Sequence, residues 1–124
     1  EKFFLFLEND DLCKRTKILG NNIYVIKNAF IDHKGFSSST KVDKEELEYL
    51  RNWHWMWSKF YFNKKHYGFF RALVSIIPNF FSSILKILIF TILFNKKKRK
   101  IYQFRFSGIL NSITGKTSWY RIND

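Results

Sequence analysis

Apolar and polar positions alternate along the chain with a period that changes from segment to segment. Residues 3–7, Phe3-Phe4-Leu5-Phe6-Leu7, are aromatic and β-prone, and an acidic cluster follows at Glu8-Asn9-Asp10-Asp11. Asn9 or Asp10 can cap a short helix, with Leu12, Arg15, Ile18 and Leu19 at helical spacing, and Gly20 and Asn21 supply its stop. That spacing predicts a helix over about 11–19. Ile23-Tyr24-Val25-Ile26 reads as a short buried strand. Residues 28–40 lack a helical period, hold His33 and Gly35, and end in Ser37-Ser38-Ser39-Thr40, so they read as a loop. Asp43 can cap a second helix, with Glu45 and Glu46 beside the positive end of its dipole. Its stripe is Leu47, Leu50, Trp53, Trp57 and Phe60, flanked by Met56 and Tyr61, and it continues to about Tyr67, where Gly68 breaks it.

Residues 69–94 form the most apolar stretch, and Pro78 is expected to divide it. Within its second part, Asn79, Ser82, Ser83 and Lys86 make one narrow polar stripe. The basic run Lys96-Lys97-Lys98-Arg99-Lys100 follows, then an amphipathic segment over 101–113 and a polar tail with Trp119 and Tyr120. A membrane span needs about 20 apolar residues. Residues 80–94 fall short of that length and carry Lys86; the longer stretch includes Arg71 and Pro78 as well. A helix lying in the membrane interface, with the basic run against anionic headgroups, fits better than a span. A helix buried in a bundle fits equally well. The elements together predict an α+β chain that is predominantly helical.

Composition narrows the class. The 124 residues suffice for one domain. Aromatic residues are 20% of the chain, which excludes a wholly disordered segment, and a single Cys excludes a disulfide scaffold or a thiolate metal cluster. Lone Cys13 fits a reducing compartment. No basic n-region precedes a small-residue cleavage site, so no signal peptide is read, and a start at Glu1 suggests a piece of a longer protein. Lys and Arg number 22 against 10 Asp and Glu, a net charge of +12. That charge suits nucleic acid or an anionic membrane. No nucleic-acid-binding motif accompanies it, and the Trp residues sit at helical spacing, which suits packing better than base stacking.

Three carboxylates, Glu8, Asp10 and Asp11, fall within four positions. They could supply a general base, hold a divalent cation, or simply favour the positive end of a helix. His33 could ligate a metal or stand solvated in its loop. His54 and His66 lie within the aromatic helix and read as surface or interfacial packing.

The order from Phe3 through Glu8-Asn9-Asp10-Asp11-Leu12-Cys13-Lys14-Arg15, then Gly20, Ile23-Tyr24-Val25, Ala29, His33, Gly35 and Ser37-Ser38, resembles the C-terminal part of family 2 glycosyltransferases. The rhamnosyltransferase-like bacterial members of these inverting GT-A enzymes are the most similar. The stretch from Arg51 to Lys65-His66-Tyr67-Gly68 also resembles their C-terminal helices. The resemblance implies that residues 1–42 end a Rossmann-like GT-A domain and that 43–124 form a helical, membrane-associated region. It implies sugar transfer, with inversion, from a nucleotide-sugar donor to a glycan or lipid-linked acceptor, on the inner face of the cell membrane. By the same resemblance the catalytic acids are Asp10, Glu8 and Asp11: Asp10 or Glu8 takes the acceptor proton, and Asp11 orients the motif and binds the acceptor together with Arg15 and Asn9, while His33 helps hold Mg or Mn on the donor diphosphate. Asn9 stands where the family usually has Asp, often the base, so that role shifts to Asp10 in preference to Glu8, or the chain is a weak or inactive enzyme. The chain has no Asp-x-Asp and no Gly-rich strand-to-helix turn, so a nucleotide-binding N-terminal half is expected elsewhere in the same protein. The alternative is a non-catalytic basic, aromatic protein that binds a membrane surface or nucleic acid.

Overall fold

A computed structural model describes residues 2–31 and 44–121. Four helices follow one another: α1 (Glu8–Ile18), α2 (Lys44–Tyr67), α3 (Phe69–Ile92) and α4 (Lys96–Ile113). Neither strand nor sheet is present among the described residues. The expected α+β class with a Rossmann-like GT-A part is therefore corrected to an all-helical fold. Ile23-Tyr24-Val25-Ile26 is irregular and exposed, with Val25 at 90% accessibility. A β-prone tetrapeptide needs neighbouring strands to satisfy its backbone, and none lies among the described residues. The expected cap at Asp43 lies outside the described residues.

α2, α3 and α4 each pack against the other two. Their shared core is Met56, Phe60, Ala72, Ile76 and Ile109, with Leu73, Phe80 and Ile113 against it. A one-residue turn joins α2 to α3. Gly68 takes φ of +88° there, a conformation that side chains with a Cβ disfavour. Pro78 does not divide α3. Asn79 Nδ2 donates to the Ser75 carbonyl at 3.5 Å beside it, and the helix stays packed on both neighbours. α4 starts five residues before the expected segment, because the basic run is itself helical. Asn95 caps it, its side chain accepting from the Lys98 backbone N–H at 3.0 Å. Close packing of α4 on α2 depends on Gly108, where an added methyl would overlap the Trp53 carbonyl oxygen.

The ends of the chain are fastened to α2 by its indole, imidazole and hydroxyl groups. Trp57 Nε1 donates to the Lys116 carbonyl at 2.9 Å, and His54 Nε2 to the Tyr120 carbonyl at 2.8 Å. Ser58 Oγ donates to the Leu5 carbonyl, and Ser118 Oγ to that of Lys2. His54, expected in surface or interfacial packing, is wholly buried, and its Nδ1 has no partner among the described residues. With Nε2 donating, Nδ1 must be the bare nitrogen of a neutral ring. Burial, and then the nearby Arg121 charge, hold its basicity below that of a free His despite the Tyr120 carbonyl. The unfolded chain therefore takes up the proton first. This contribution to stability is complete above about pH 6.5 and drains as pH falls from there towards the folded value. The unfolding midpoint in urea is expected to drop between pH 7 and 5 for the wild type. His54→Gln should show a flatter profile, and an equal slope in both would exclude His54 as the source.

Candidate functional site

α1 begins at Glu8, with Leu7 in the cap position at φ of +63°, rather than after Asn9 or Asp10. That start decides which acids face the bundle. At 100° per residue, Glu8, Asp11 and Arg15 share one side of α1, while Asn9 and Asp10 turn away from it. Asn9 and Asp10 are accordingly exposed, and Asp11 is buried. The acidic cluster thus does not converge as one site.

Asp11 meets the C-terminal end of α2. Lys65 Nζ lies 2.7 Å from Asp11 Oδ1 and 2.8 Å from Oδ2. His66 Nε2 donates to Oδ1 at 2.7 Å, and Arg15 Nε to Oδ2 at 2.9 Å. Burial works to raise the Asp11 pKa. The hydrogen bonds from Lys65, His66 and Arg15 and the Lys65 charge outweigh it and hold the carboxyl below its ordinary value. A carboxylate so engaged is a poor proton acceptor. His66, for which the sequence suggests surface or interfacial packing, has a side chain only 5% exposed and closes this cluster. The signal for it is the pairing of a buried-face acid on one helix with Lys-His at the end of another, which spacing alone does not connect.

Beside the cluster opens a cleft of about 420 Å³, lined by Lys2, Phe3, Asp11, Arg15, Tyr61 and Lys65. The Phe3 and Tyr61 rings meet edge to face, 4.9 Å between centroids. Glu8 lies outside this lining, and its buried Oε2 has no partner among the described residues. Lys14 caps the other side of α1, 3.4 Å above the Tyr67 ring. His33, expected to hold the metal, lies outside the described residues. Among the described residues no three His, Cys, Asp or Glu side chains gather as metal ligands.

The second candidate surface is the outer side of α3. Phe70, Val74, Ile77, Phe81, Leu85, Leu88 and Ile92 are all exposed and recur every three or four residues, one continuous stripe. α3 is long and apolar enough to cross a membrane, and only 11% of its most apolar stretch is buried. Its opposite side holds to the bundle along its length. Phe69 meets Phe60, Phe80 meets Phe106, and Phe90 stacks on Tyr102. Cations stand at both ends, Lys64, Lys65 and Arg71 at one and the run from Lys96 to Lys100 at the other. The latter run occupies the N-terminus of α4, where the helix dipole opposes positive charge. Trp53 and Trp57, which a nucleic-acid binder would offer for stacking, are buried with their indole N–H groups bound.

No protein family, curated protein or solved structure matches the chain.

Proposed function

We propose that the chain is the acceptor-side, membrane-docked helical part of an inverting sugar transferase of the kind it resembles. The observation that carries this reading is the Asp11 cluster. The two separate segments that bear the resemblance, residues 3–39 and 51–68, meet there, where Asp11 and Arg15 of the first bind Lys65 and His66 of the second. Side chains that carry a shared pattern and also share one buried contact are more than a composition coincidence.

In this reading the residues of the acidic motif and Arg15 have different tasks. Asp11 and Arg15 position α1 on α2. Asp10, exposed next to them and with no side-chain partner among the described residues, takes the proton of the attacking hydroxyl as that oxygen bonds to the anomeric carbon. Asn9, exposed beside Asp10, orients the acceptor there, while Glu8 faces the bundle with Asp11. The nucleotide-sugar donor belongs to a half outside these residues, and His33 of this chain helps hold Mg or Mn on its diphosphate. The apolar stripe of α3 keeps the site at the cytoplasmic membrane surface, where lipid-linked acceptors lie.

The test is transfer of radiolabelled sugar from a panel of UDP-, GDP- and dTDP-sugars into lipid extract by the intact gene product. Metal-dependent incorporation is expected. Asp10→Asn should lower it at least 100-fold, the range of a general base, with donor binding unchanged. A full rate in Asp10→Asn would remove Asp10 from the mechanism. No incorporation from any donor would remove the catalytic reading and leave a membrane-docking module.

A further inference from the structure

The cleft beside Asp11 is a cavity with an excess of positive charge. Among the described residues, Lys2, Arg15 and Lys65 bring three cations to its lining, and Asp11 brings one carboxylate. Lys2 and Arg15 are exposed, whereas Asp11 is buried. Its two oxygens are filled by Lys65, His66 and Arg15, so it holds Arg15 and Lys65 side by side against their own repulsion. Arg15 spends only Nε on this bond. Its two terminal nitrogens make no hydrogen bond among the described residues, and the side chain is 49% exposed. Lys2 makes no side-chain bond there either, and is exposed. Phe3 and Tyr61 wall the cleft with ring faces and edges.

We propose that this cleft is a binding site for a phosphate monoester, whose two negative charges match the two left unbalanced by Asp11. A planar guanidinium with two free nitrogens presents a fork to two phosphate oxygens, and Lys2 and Lys65 close on it as point charges. Phe3 and Tyr61 then lie against whatever apolar or sugar group carries the phosphate. The site does not depend on the catalytic reading above, since it uses neither Asp10 nor a nucleotide donor. The phosphate can come from a small soluble molecule or from a lipid headgroup. Lys65 lies only four residues before α3, so the cleft opens at the end of the bundle where the exposed stripe begins.

The experiment titrates the full chain with inorganic phosphate and with glycerol 3-phosphate at constant ionic strength, followed by backbone and Arg Nε–H NMR shifts. Saturable shifts confined to Lys2, Phe3, Arg15, Tyr61 and Lys65 are expected. Lys2→Gln and Arg15→Gln should each weaken binding at least fivefold. Lys2→Gln matters most, because only the Lys2 carbonyl takes part in the fold, accepting from Ser118, so the substitution leaves the Asp11 cluster intact. Flotation with vesicles containing phosphatidic acid separates the sources. Loss of flotation on adding inorganic phosphate assigns a lipid headgroup. Flotation unchanged while the NMR shifts saturate assigns a soluble phosphate. Linear shifts that chloride reproduces, or equal affinity in Lys2→Gln and wild type, would overturn the site.

Discussion

Replacing Asp11 by alanine is expected to lower the stability of the fold by about 2–4 kcal/mol. The carboxylate is buried and accepts from three donors, so its loss leaves Lys65, His66 and Arg15 without their common partner. Removing one member of a buried ion pair costs about 3–5 kcal/mol. Here the cost is about 1 kcal/mol smaller, because Arg15 is 49% and Lys65 35% exposed and both can turn to water, whereas His66 cannot. Asp10→Ala, on the exposed side of the same helix, should shift stability by no more than about 0.5 kcal/mol. Urea unfolding of the two variants reads the contrast directly. In a cycle with His66→Ala the two losses should fail to add by more than about 0.5 kcal/mol. Equal stability of Asp11→Ala and Asp10→Ala would mean that the cluster does not hold α1 to α2.

The same group gives a second acid step. Because the folded pKa of Asp11 lies below its unfolded value of 3.8, its contribution is complete above that pH. It is lost as pH falls further, when the unfolded chain binds the proton more readily. The His54 step comes first, below about pH 6.5. Asp11→Ala should therefore abolish the lower step and leave the upper one in place.

The helical stripe of α2 was legible in the sequence, since Trp53, Trp57, Met56 and Phe60 recur at helical spacing and all four are buried. The break at Gly68 was legible too, because its positive φ is what glycine permits. The strand at Ile23-Tyr24-Val25-Ile26 was misread for a physical reason. Four β-prone residues specify a strand only where other strands complete the ladder, and propensity carries no information about those partners. Pro78 misled in a related way. Its local penalty is real, but packing of α3 on two helices outweighs one missing hydrogen bond. In the acidic cluster the sequence placed the three carboxylates together, whereas a one-turn helix start at Glu8 sends Asp10 and Asp11 to different sides. For His54 and His66 the sequence leaves surface and interfacial packing open, because helical periodicity does not reveal residues 116–121 and α1 that cover them.

Double substitution of Phe70 and Phe81 by serine is expected to reduce binding to anionic vesicles about 100-fold, with the fold unchanged. Both rings stand on the outer stripe of α3, 82% and 64% exposed, and make no contribution to the buried core. Full burial of a Phe side chain is worth about 2–3 kcal/mol, and rings that enter only the acyl boundary gain about half of that. Two such rings give about 3 kcal/mol, or about 100-fold in partition at 1.4 kcal/mol per tenfold. The orientation follows from what α3 carries with it. α2 and α4 pack along its inner side and bear Arg51, Lys59, Arg105 and the run from Lys96 to Lys100, so a transmembrane α3 would draw these charges into the hydrocarbon. Lying flat, it buries its stripe and leaves the cations level with the headgroups, each worth about 1 kcal/mol near an anionic surface. Phe81 sits near the middle of the helix, so Phe81→Trp reports the difference. Depth-dependent quenching by brominated lipids should place the indole about 5–10 Å below the headgroup boundary. Quenching greatest at the bilayer centre, about 15 Å deep, would instead establish a span. Flotation should also weaken as salt rises, because the charge term is screened and the apolar term is not. Binding that withstands both the serine substitutions and high salt would place the docking surface elsewhere on the molecule.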